Sequence, residues 1–225
     1  MPQWEPFHGW MAFRYLDVNA GLTRSFTIGY RLTDDGADSW TARFNRFKAK
    51  NRAAIRGGLN LMTTAVPLLV RRLGLDPLKT VSVPALSSSE TVASEKGVLS
   101  VMANACAKAA GLSFVPDAIT KNAHQPLHNV YNADRRREIL DGADYRSGKI
   151  RARNILIFDD FITRGDTLSH IAQAIHQVNQ GISVYGVGLG KTERRAYHRD
   201  RFGVEISNDH VPEKWETLWE EGEAR

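Results

Sequence analysis

The sequence predicts an α/β protein with a doubly wound parallel sheet, and two observations carry this prediction. From residue 80 to residue 190, apolar runs typical of strands alternate with helical patterns, an order that favours neighbouring parallel strands. Some runs are apolar without interruption, as in N-I-L-I-F at 154–158, which is typical of a strand buried on both faces. A chain of 225 residues is long enough for one such core with small additions.

The composition describes an ordinary folded protein. Hydrophobic residues make up 42% and charged residues 24%, a balance that excludes an intrinsically disordered chain. No apolar run has the length expected of a bilayer-spanning helix, and the N-terminus lacks a signal-peptide layout, so we expect no membrane contact and a cytoplasmic location. The lone Cys106 excludes an intrachain disulfide and suits a reducing compartment, with a core role expected in its alanine-rich stretch.

The net charge of +5 and the pI near 9.4 indicate an anionic partner without identifying it. A phosphorylated metabolite and a nucleic acid would both be attracted to such a surface. Basic residues are dense in two places, the stretch 43–56 and the triplet 135–137 with Lys121 upstream of it. The first stretch offers contacts for nucleic-acid phosphates, although no helix-turn-helix or other DNA-reading module is evident.

Residues 1–75 form the first of three predicted regions. Alternating apolar and polar residues in W-M-A-F-R-Y-L-D-V (10–18) and S-F-T-I-G-Y-R-L (25–32) predict a β-hairpin, which T-A-R-F-N-R-F-K (41–48) would extend as a third strand. Apolar residues recur at helical spacing from 53 to 73 and predict a helix that packs against the core.

Residues 76–190 form the predicted core. The expected order is a strand at 80–86, a serine-rich turn at 87–90, a helix from about 92 to 110, a strand at 112–120, a strand and helix start within 154–168, and a strand at 182–190. Glu90 is expected to open the first helix and Gly111 to end it. The polar connection from 121 to 149 is long for a compact domain, which is typical of a functional or mobile loop.

Residues 191–225 form a C-terminal extension that is expected to pack on the core. A short strand is expected at 203–207 and a closing helix at 212–221, with Trp215, Leu218 and Trp219 on one face. The tryptophans are expected to attach the extension to the body, and a base-stacking role for Trp215 is the alternative.

Residues 154–168, N-I-L-I-F-D-D-F-I-T-R-G-D-T-L, carry the most informative pattern in the chain. A buried parallel strand would bring Asp159 and Asp160 to its carboxyl end, where open α/β sheets bind ligands. From Thr163 to Thr167 the turn offers backbone N–H groups, two hydroxyls and a helix N-terminus, which together form an anion cradle. Because carboxylates accept hydrogen bonds from ribose hydroxyls, this segment is suited to bind a ribose 5-phosphate. The alternative is that the acids merely end a strand and Thr163 caps a helix.

This pattern resembles the binding motif of type I phosphoribosyltransferases, which use 5-phosphoribosyl-1-pyrophosphate (PRPP). The shared elements are four apolar residues, Asp159 and Asp160, two apolar residues, and a Thr-x-Gly-x-Thr-Leu turn made of Thr163, Arg164, Gly165, Asp166, Thr167 and Leu168. Arg164 and Asp166 occupy positions that are more often small or uncharged in that family. The resemblance covers residues 80–190 and implies that this segment binds the phosphoribosyl group and its phosphate.

The resemblance also implies where the pyrophosphate binds. The family's pyrophosphate loop follows the first core strand, where Ser87 and Ser88 offer hydroxyl and N–H groups; a simple serine N-cap is the alternative. Lys121, Arg136 and Arg137 are the candidate cations, because a mobile loop would close them over the diphosphate. The loop also resembles the ComF-like branch of the family, through Lys121, Gln125, Leu127, Arg136, Arg137 and Ala143.

Magnesium is the cofactor that the resemblance implies, held mainly by diphosphate and ribose oxygens with water rather than by a protein cage. Asp159, Asp160 and Lys121 are the residues expected to act in catalysis. The resemblance implies that the acids bind ribose hydroxyls or metal-bound water, and that Asp160 stabilises positive charge at the anomeric carbon. His124 and His128 lie four residues apart, but no third ligand is near them, so we expect no zinc site.

Together these residues predict a phosphoribosyltransferase that transfers a 5-phosphoribosyl group from magnesium-bound PRPP to a nitrogen acceptor such as a nucleobase or an amine. The acceptor pocket, called the hood in this family, is expected in residues 1–75, in the tail, or in both. The alternative is a regulator that binds PRPP or a nucleotide without turnover, with nucleic acid as a less favoured partner. Dimers are common in the resembling family, which implies a homodimer.

Overall fold

The computed structural model of the chain describes residues 4–14, 21–127, 130 and 132–225. The strands of this part are β1 Glu5–Phe7, β2 Trp10–Ala12, β3 Arg24–Leu32, β4 Thr80–Pro84, β5 Ser113–Phe114, β6 Ile119–Thr120, β7 Arg146–Ser147, β8 Asn154–Ile162 and β9 Ser183–Glu193. Its α-helices are α1 Ser39–Lys48, α2 Arg52–Arg72, α3 Val98–Ala110, α4 Ala133–Ala143, α5 Asp166–Val178, α6 Arg195–Phe202 and α7 Glu213–Ala224. A short 3-10 helix, Pro77–Lys79, leads into β4.

Seven strands form one mixed sheet in the order β1-β2-β3-β9-β8-β4-β5. The five strands from β3 to β5 in this order run parallel to one another, and β1 and β2 add an antiparallel hairpin at the β3 edge. β6 and β7 pair separately as an antiparallel ribbon. The predicted α/β class with a largely parallel sheet is confirmed, and residues 1–75 contribute strands to the same sheet as the core.

Helices cover both faces of this sheet, an arrangement compatible with double winding. One buried cluster holds Leu61 of α2, Met102 of α3 and Trp215 of α7. A second cluster holds Leu140 of α4 and Ile171 of α5. Successive residues of β8 from 155 to 158 alternate between the two clusters, so the strand is buried on both sides, as its apolar run predicted.

The N-terminal hairpin is confirmed, but its predicted third strand is a helix. β2 pairs antiparallel with β3, while residues 15–20 of the predicted first strand lie outside the described residues. α1 begins after Asp38, whose carboxylate accepts a backbone N–H of the first turn at 2.7 Å. Trp40, Phe44 and Phe47 are spaced for one helical face, and all three are buried. The strand prediction was wrong because Phe44 and Phe47 lie three residues apart, a spacing that places them on one face of a helix but on opposite faces of a strand.

The predicted helix at 53–73 is confirmed as α2. Among the described residues, α2 is the one helix long and apolar enough by composition to cross a bilayer, so the expectation that no segment reaches this length was wrong. Half of the residues in its apolar window are buried, and α2 packs against α3 and α7 as a core helix does. The contact with α7 is close: a Cβ atom on Gly57 would lie 2.7 Å from Trp219 Nε1.

The first helix of the core begins later than predicted. α3 starts at Val98, because the Glu90 carboxylate accepts the N–H groups of Ser87 at 2.8 Å and Ser94 at 3.3 Å. Glu90 therefore stabilises a turn and does not open the helix. The helix ends at Ala110, immediately before Gly111, as predicted. The predicted strand at 112–120 is divided into β5 and β6, which belong to different sheets.

Two further predictions on the second half of the chain need correction. The connection at 121–149 contains α4, whose N-terminus is capped by the Asn132 side chain, and residues 203–207 form no strand. The closing helix is confirmed as α7. Trp215 is 1% exposed and meets Trp10 edge to face at 5.5 Å between ring centroids, so it packs in the core and is not available to stack on a base.

Candidate functional site

The carboxyl ends of β4 and β8 meet at a point where the chain changes direction across the sheet. β4 continues through α3 to β5 on one side, whereas β8 continues through α5 to β9 on the other. Ligands of open α/β sheets bind in the crevice outside such a switch point. The strands stay joined up to this edge, since the Ala85 N–H donates to the Phe158 carbonyl at 2.7 Å. The serine turn and the two aspartates therefore extend from neighbouring strand ends.

Asp159 and Asp160 form a half-buried pair at the end of β8. Asp159 Oδ1 accepts the Asp160 N–H at 2.8 Å, and Asp160 Oδ1 accepts the Phe161 N–H at 2.7 Å. Burial, and then the neighbouring Asp160 charge, raise the pKa of Asp159 well above its usual value. A ligand that brings hydroxyl groups or positive charge to this pair would offset both effects.

Three residues that the sequence analysis did not assign to the site surround this pair. The buried Tyr145 Oη has no hydrogen-bond partner within the described residues, and burial together with the Asp159 charge raises the pKa of this tyrosine. The positive charge of Lys48 acts on Asp159, and Arg31 interacts electrostatically with Asp160. Arg31 lies near the carboxyl end of β3, which runs parallel to β8; this end position was the available signal.

The anion cradle follows directly from β8. Thr163 and Arg164 are exposed, and Gly165 has a left-handed backbone with φ +79° as the N-cap of α5. No side chain caps this helix, so the N–H groups of its first turn are open to an acceptor at its positive end. Thr163 is therefore not the N-cap that the alternative interpretation required. Leu168 is 1% exposed and anchors the turn in the core.

Asp166 has a cationic partner within the protein. Arg136 Nε lies 3.2 Å from Asp166 Oδ2, and the same guanidinium donates to the carbonyl of Leu127 at 3.0 Å. His170 Nδ1 lies 2.8 Å from the Asp166 carbonyl oxygen. The negative charge that sets this cradle apart from the resembling family is thus offset by Arg136, and the loop before α4 is tied to α5.

A buried lysine fixes the other side of the cradle. Lys191, at the end of β9, is 1% exposed, and its ammonium donates to the Thr163 carbonyl and to Glu193 Oε1, each at 2.5 Å. Burial lowers the pKa of Lys191, and the adjacent Glu193 acts in the opposite direction. This residue positions the turn; the sequence analysis missed it because nothing local distinguishes it.

Lys121 lies beneath the serine turn. It is 4% exposed, and its Nζ donates to the carbonyls of Ser88 at 3.0 Å and Asn122 at 3.3 Å. The His124 N–H donates to the same Ser88 carbonyl at 2.8 Å. Burial lowers the pKa of Lys121, with Glu90 acting in the opposite direction. The ammonium thus holds the turn that carries Ser87 and Ser88.

The predicted site residues fall into groups. Asp159 and Asp160 precede the cradle by two residues, and Arg136 joins it through Asp166. Arg137, the next residue of α4, lines a cleft that also includes Thr163–Asp166. Lys121 joins Ser88 instead. No three His, Cys, Asp or Glu side chains gather as a metal site in the described part of the chain, which leaves out His128. Two aspartates fit a magnesium ion whose other ligands are substrate oxygens and water.

Two of the six cations in the basic stretch at 43–56 pair with carboxylates of the protein. Arg43 is 8% exposed and lies 2.7 Å from carboxylate oxygens of both Glu216 and Glu220. Arg46 pairs with Glu223 at 3.0 Å. These contacts attach α7 to α1 and offset two of the six positive charges that would attract nucleic-acid phosphates.

No protein-family model matches the chain, and no curated protein sequence matches it. The functional assignment therefore depends on the residues of the site and their geometry.

Proposed function

We propose that the protein is a phosphoribosyltransferase of type I character, which binds magnesium and PRPP at Asp159, Asp160 and the cradle that follows. The observation that supports this most is that the acid pair and the anion cradle lie close together in one segment of the chain. A pair of acids and an uncapped helix N-terminus are separated by four residues, at the switch point of a mostly parallel sheet. That separation suits the two ends of one ribose 5-phosphate.

In this proposal the ribose hydroxyls donate to the carboxylates of Asp159 and Asp160. The 5-phosphate accepts the N–H groups at the start of α5, with the hydroxyls of Thr163 and Thr167 close by. Ser87 offers its hydroxyl group, and Ser88 its N–H and hydroxyl groups, to the pyrophosphate at the neighbouring strand end, since the Ser87 N–H is held by Glu90. Magnesium would neutralise the diphosphate, bound through its oxygens and those of the ribose.

The reaction breaks the bond between the anomeric carbon and the pyrophosphate oxygen and forms a bond from that carbon to the acceptor nitrogen. Pyrophosphate leaves with the bonding electron pair, and the acceptor nitrogen releases a proton. Positive charge develops on the ribose in the transition state, and the two carboxylates stabilise it electrostatically. Catalysis then consists of positioning and charge stabilisation, without a covalent intermediate.

A second candidate function is a regulator that binds PRPP or a nucleotide without turnover. One observation favours it: two of the predicted pyrophosphate cations already have partners in the protein. Lys121 donates to the Ser88 and Asn122 carbonyls, and Arg136 pairs with Asp166. A leaving diphosphate would then have fewer cations to stabilise it than a transferase needs.

Calorimetric titration with PRPP and Mg²⁺ tests the binding half of the proposal. The double variant Asp159→Asn, Asp160→Asn is expected to lose PRPP binding while its unfolding transition stays cooperative. A matched control removes two exposed acids elsewhere, in Asp117→Asn, Asp134→Asn, and is expected to bind as the unaltered protein does. Undiminished affinity in the first variant would contradict the assignment of the site.

Pyrophosphate release separates the two functions. Protein, Mg²⁺ and PRPP are incubated with a panel of nucleobases and amines, and acceptor-dependent pyrophosphate is measured. A transferase releases it with at least one acceptor, and the double aspartate variant does not. Tight PRPP binding without acceptor-dependent release across the panel would favour the regulator.

A further inference from the structure

A cleft of about 1190 Å³ extends from the cradle along one face of α5, between α4 and α6. Its wall includes Thr163, Arg164, Gly165 and Asp166, followed by side chains of α5 on the same helical face. Neither Asp159 nor Asp160 lines it. The cleft therefore includes the cradle but not the two acids that are proposed to bind the ribose.

Four exposed arginines line this cleft: Arg137, Arg164, Arg194 and Arg201. Within the described residues, none of the four has a carboxylate partner within 4 Å, although the Arg194 charge does lower the pKa of Asp34. Arg195 and Arg199, the other two arginines of α6, differ because they pair with Asp35 and Asp200.

The acidic residues of the cleft are matched by cations or a histidine. Glu193 lies 2.5 Å from the Lys191 ammonium, and Asp141 lies 3.0 Å from His170 Nε2. Asp166 pairs with Arg136, as described above. The four arginines thus give the cleft an excess of positive charge, which favours a ligand with more than one anionic group.

Aromatic rings accompany the arginines at the far wall. Tyr197 and Phe202 are 46% and 43% exposed, and the Arg201 guanidinium lies 5.6 Å and 5.8 Å from their ring centroids. Such a surface of arginine and aromatic rings can hold phosphate and stack on a base at the same time.

A buried nitrogen in the wall also makes no hydrogen bond within the described residues. His198 is 5% exposed, and its Nε2 makes no hydrogen bond among the described residues, although Glu193 Oε2 lies 3.3 Å away. Buried polar atoms are nearly always hydrogen-bonded, so an atom of this kind beside a cleft indicates that a ligand or water completes it.

We propose that this cleft binds a nucleotide carried on the 5-phosphate of the bound ribose, so that the full ligand is a ribose 5-phosphate joined through its phosphate to a nucleoside phosphate. The phosphates would lie between the cradle and the four arginines, and the base beside Tyr197 and Phe202. The cleft volume of about 1190 Å³ exceeds the roughly 300–1,000 Å³ that is typical of small-molecule sites, so the cleft has room for a ligand of this size. The ribose 5-phosphate half of this inference rests on the proposed function.

Calorimetry with ribose 5-phosphate and with adenosine 5′-diphosphate ribose tests the inference, because the second ligand is the first with a nucleotide on its phosphate. We expect the larger ligand to bind at least about tenfold more tightly, the effect of one or two additional charge-assisted hydrogen bonds. Arg201→Gln and Arg194→Gln are each expected to lower that affinity roughly tenfold and to change ribose 5-phosphate binding less than about twofold.

Arg199→Gln is the matched control, since it removes the same charge from the same helix but Arg199 does not line the cleft and pairs with Asp200. It is expected to change neither affinity. Equal affinities for the two ligands would overturn the inference and leave the proposed function standing. If ribose 5-phosphate and PRPP fail to bind while the larger ligand binds in an Arg201-dependent way, the cleft is a nucleotide site and the proposed function is wrong. If no ligand binds, both are wrong.

Discussion

At the scale of single residues, the site contains groups whose placement opposes folding. Asp159 is half-buried beside Asp160, and its raised pKa means that the folded chain holds the proton more tightly than the unfolded chain does. The stability that this residue contributes is therefore complete below its unfolded pKa of about 4 and is lost as the pH rises through the folded value. Such strain is commonly retained at ligand sites.

We therefore predict that Asp159→Asn raises the free energy of unfolding at pH 7, by on the order of 1 kcal/mol. The amide carries no charge, so the gain should shrink towards zero as the pH falls to 4 and below. Denaturant unfolding at a series of pH values measures this difference. Asp117→Asn, at an exposed position, should show no such gain. An equal gain at pH 4 and pH 7 would contradict the electrostatic cause.

A second residue-scale prediction concerns Lys191. Replacing it in Lys191→Met leaves Glu193 without its cation and the Thr163 carbonyl without its donor, at a cost of about 3 kcal/mol. The double variant Lys191→Met, Glu193→Gln should recover part of the stability, because the unpaired charge is gone. Its PRPP affinity should stay reduced, because Thr163 is still released. Recovery of both by the double variant would show that Lys191 does not position the cradle.

At the scale of elements, the site depends on how α5 begins. The strand β8 carries the two acids just before its end at Ile162, the chain then turns through Gly165, and no side chain caps the N-terminus of α5. The φ of +79° at Gly165 directs the chain from strand to helix within three residues. A side chain there would be strained, whatever space is available.

Gly165→Ala is predicted to cost about 1–2 kcal/mol of stability and to weaken PRPP binding, because the backbone N–H groups move with the turn. Gly74→Ala is a close control: its φ is +65° and nothing lies within 4 Å of an added Cβ, but it is far from the motif in sequence and lines none of the cleft. It should cost similar stability and leave PRPP affinity unchanged. Equal loss of affinity in both variants would point to general destabilisation.

At the scale of the whole molecule, α7 connects the end of the chain to its beginning. Trp219 is fully buried, with ring centroids 5.9 Å from both Trp40 and Phe44 of α1, and its Nε1 donates to Glu223. α1 in turn carries Lys48, whose charge acts on Asp159. The C-terminal helix therefore supports the element that brings a cation to the site.

We predict that Trp219→Ala lowers the free energy of unfolding by about 3–5 kcal/mol, a large share of the 5–15 kcal/mol typical of a domain. Urea unfolding followed by circular dichroism measures it. Leu78→Ala, at a side chain that is 92% exposed, should change stability by less than about 0.5 kcal/mol. A loss below about 1 kcal/mol for Trp219→Ala would show that α7 is only loosely attached.

The sequence by itself determined the strand, turn and helix of residues 154–168, the α/β class and the apolar faces of α2 and α7. These features depend on the spacing of apolar residues and on short motifs such as Asp-Asp and Thr-x-Gly-x-Thr. Both influence the conformation of the backbone within a few residues. α1 was misread as a strand, although Trp40, Phe44 and Phe47 have helical spacing; the Asp38 cap and the packing against α7 stabilise this segment as a helix.

Only the tertiary structure decided which charges are free. Three cations have partners within the protein: Lys121 donates to the Ser88 carbonyl, Arg43 pairs with α7, and Arg136 pairs with Asp166. Arg164, Arg194 and Arg201 line one cleft instead. Arg31 and Lys48 interact electrostatically with the two acids. A long charged side chain reaches partners far away in sequence, and its energy depends on burial and on the nearest opposite charge. Neither quantity exists until the chain has folded, so the sequence located the turn that we propose to bind phosphate, while the fold determined which cations remain available to a ligand.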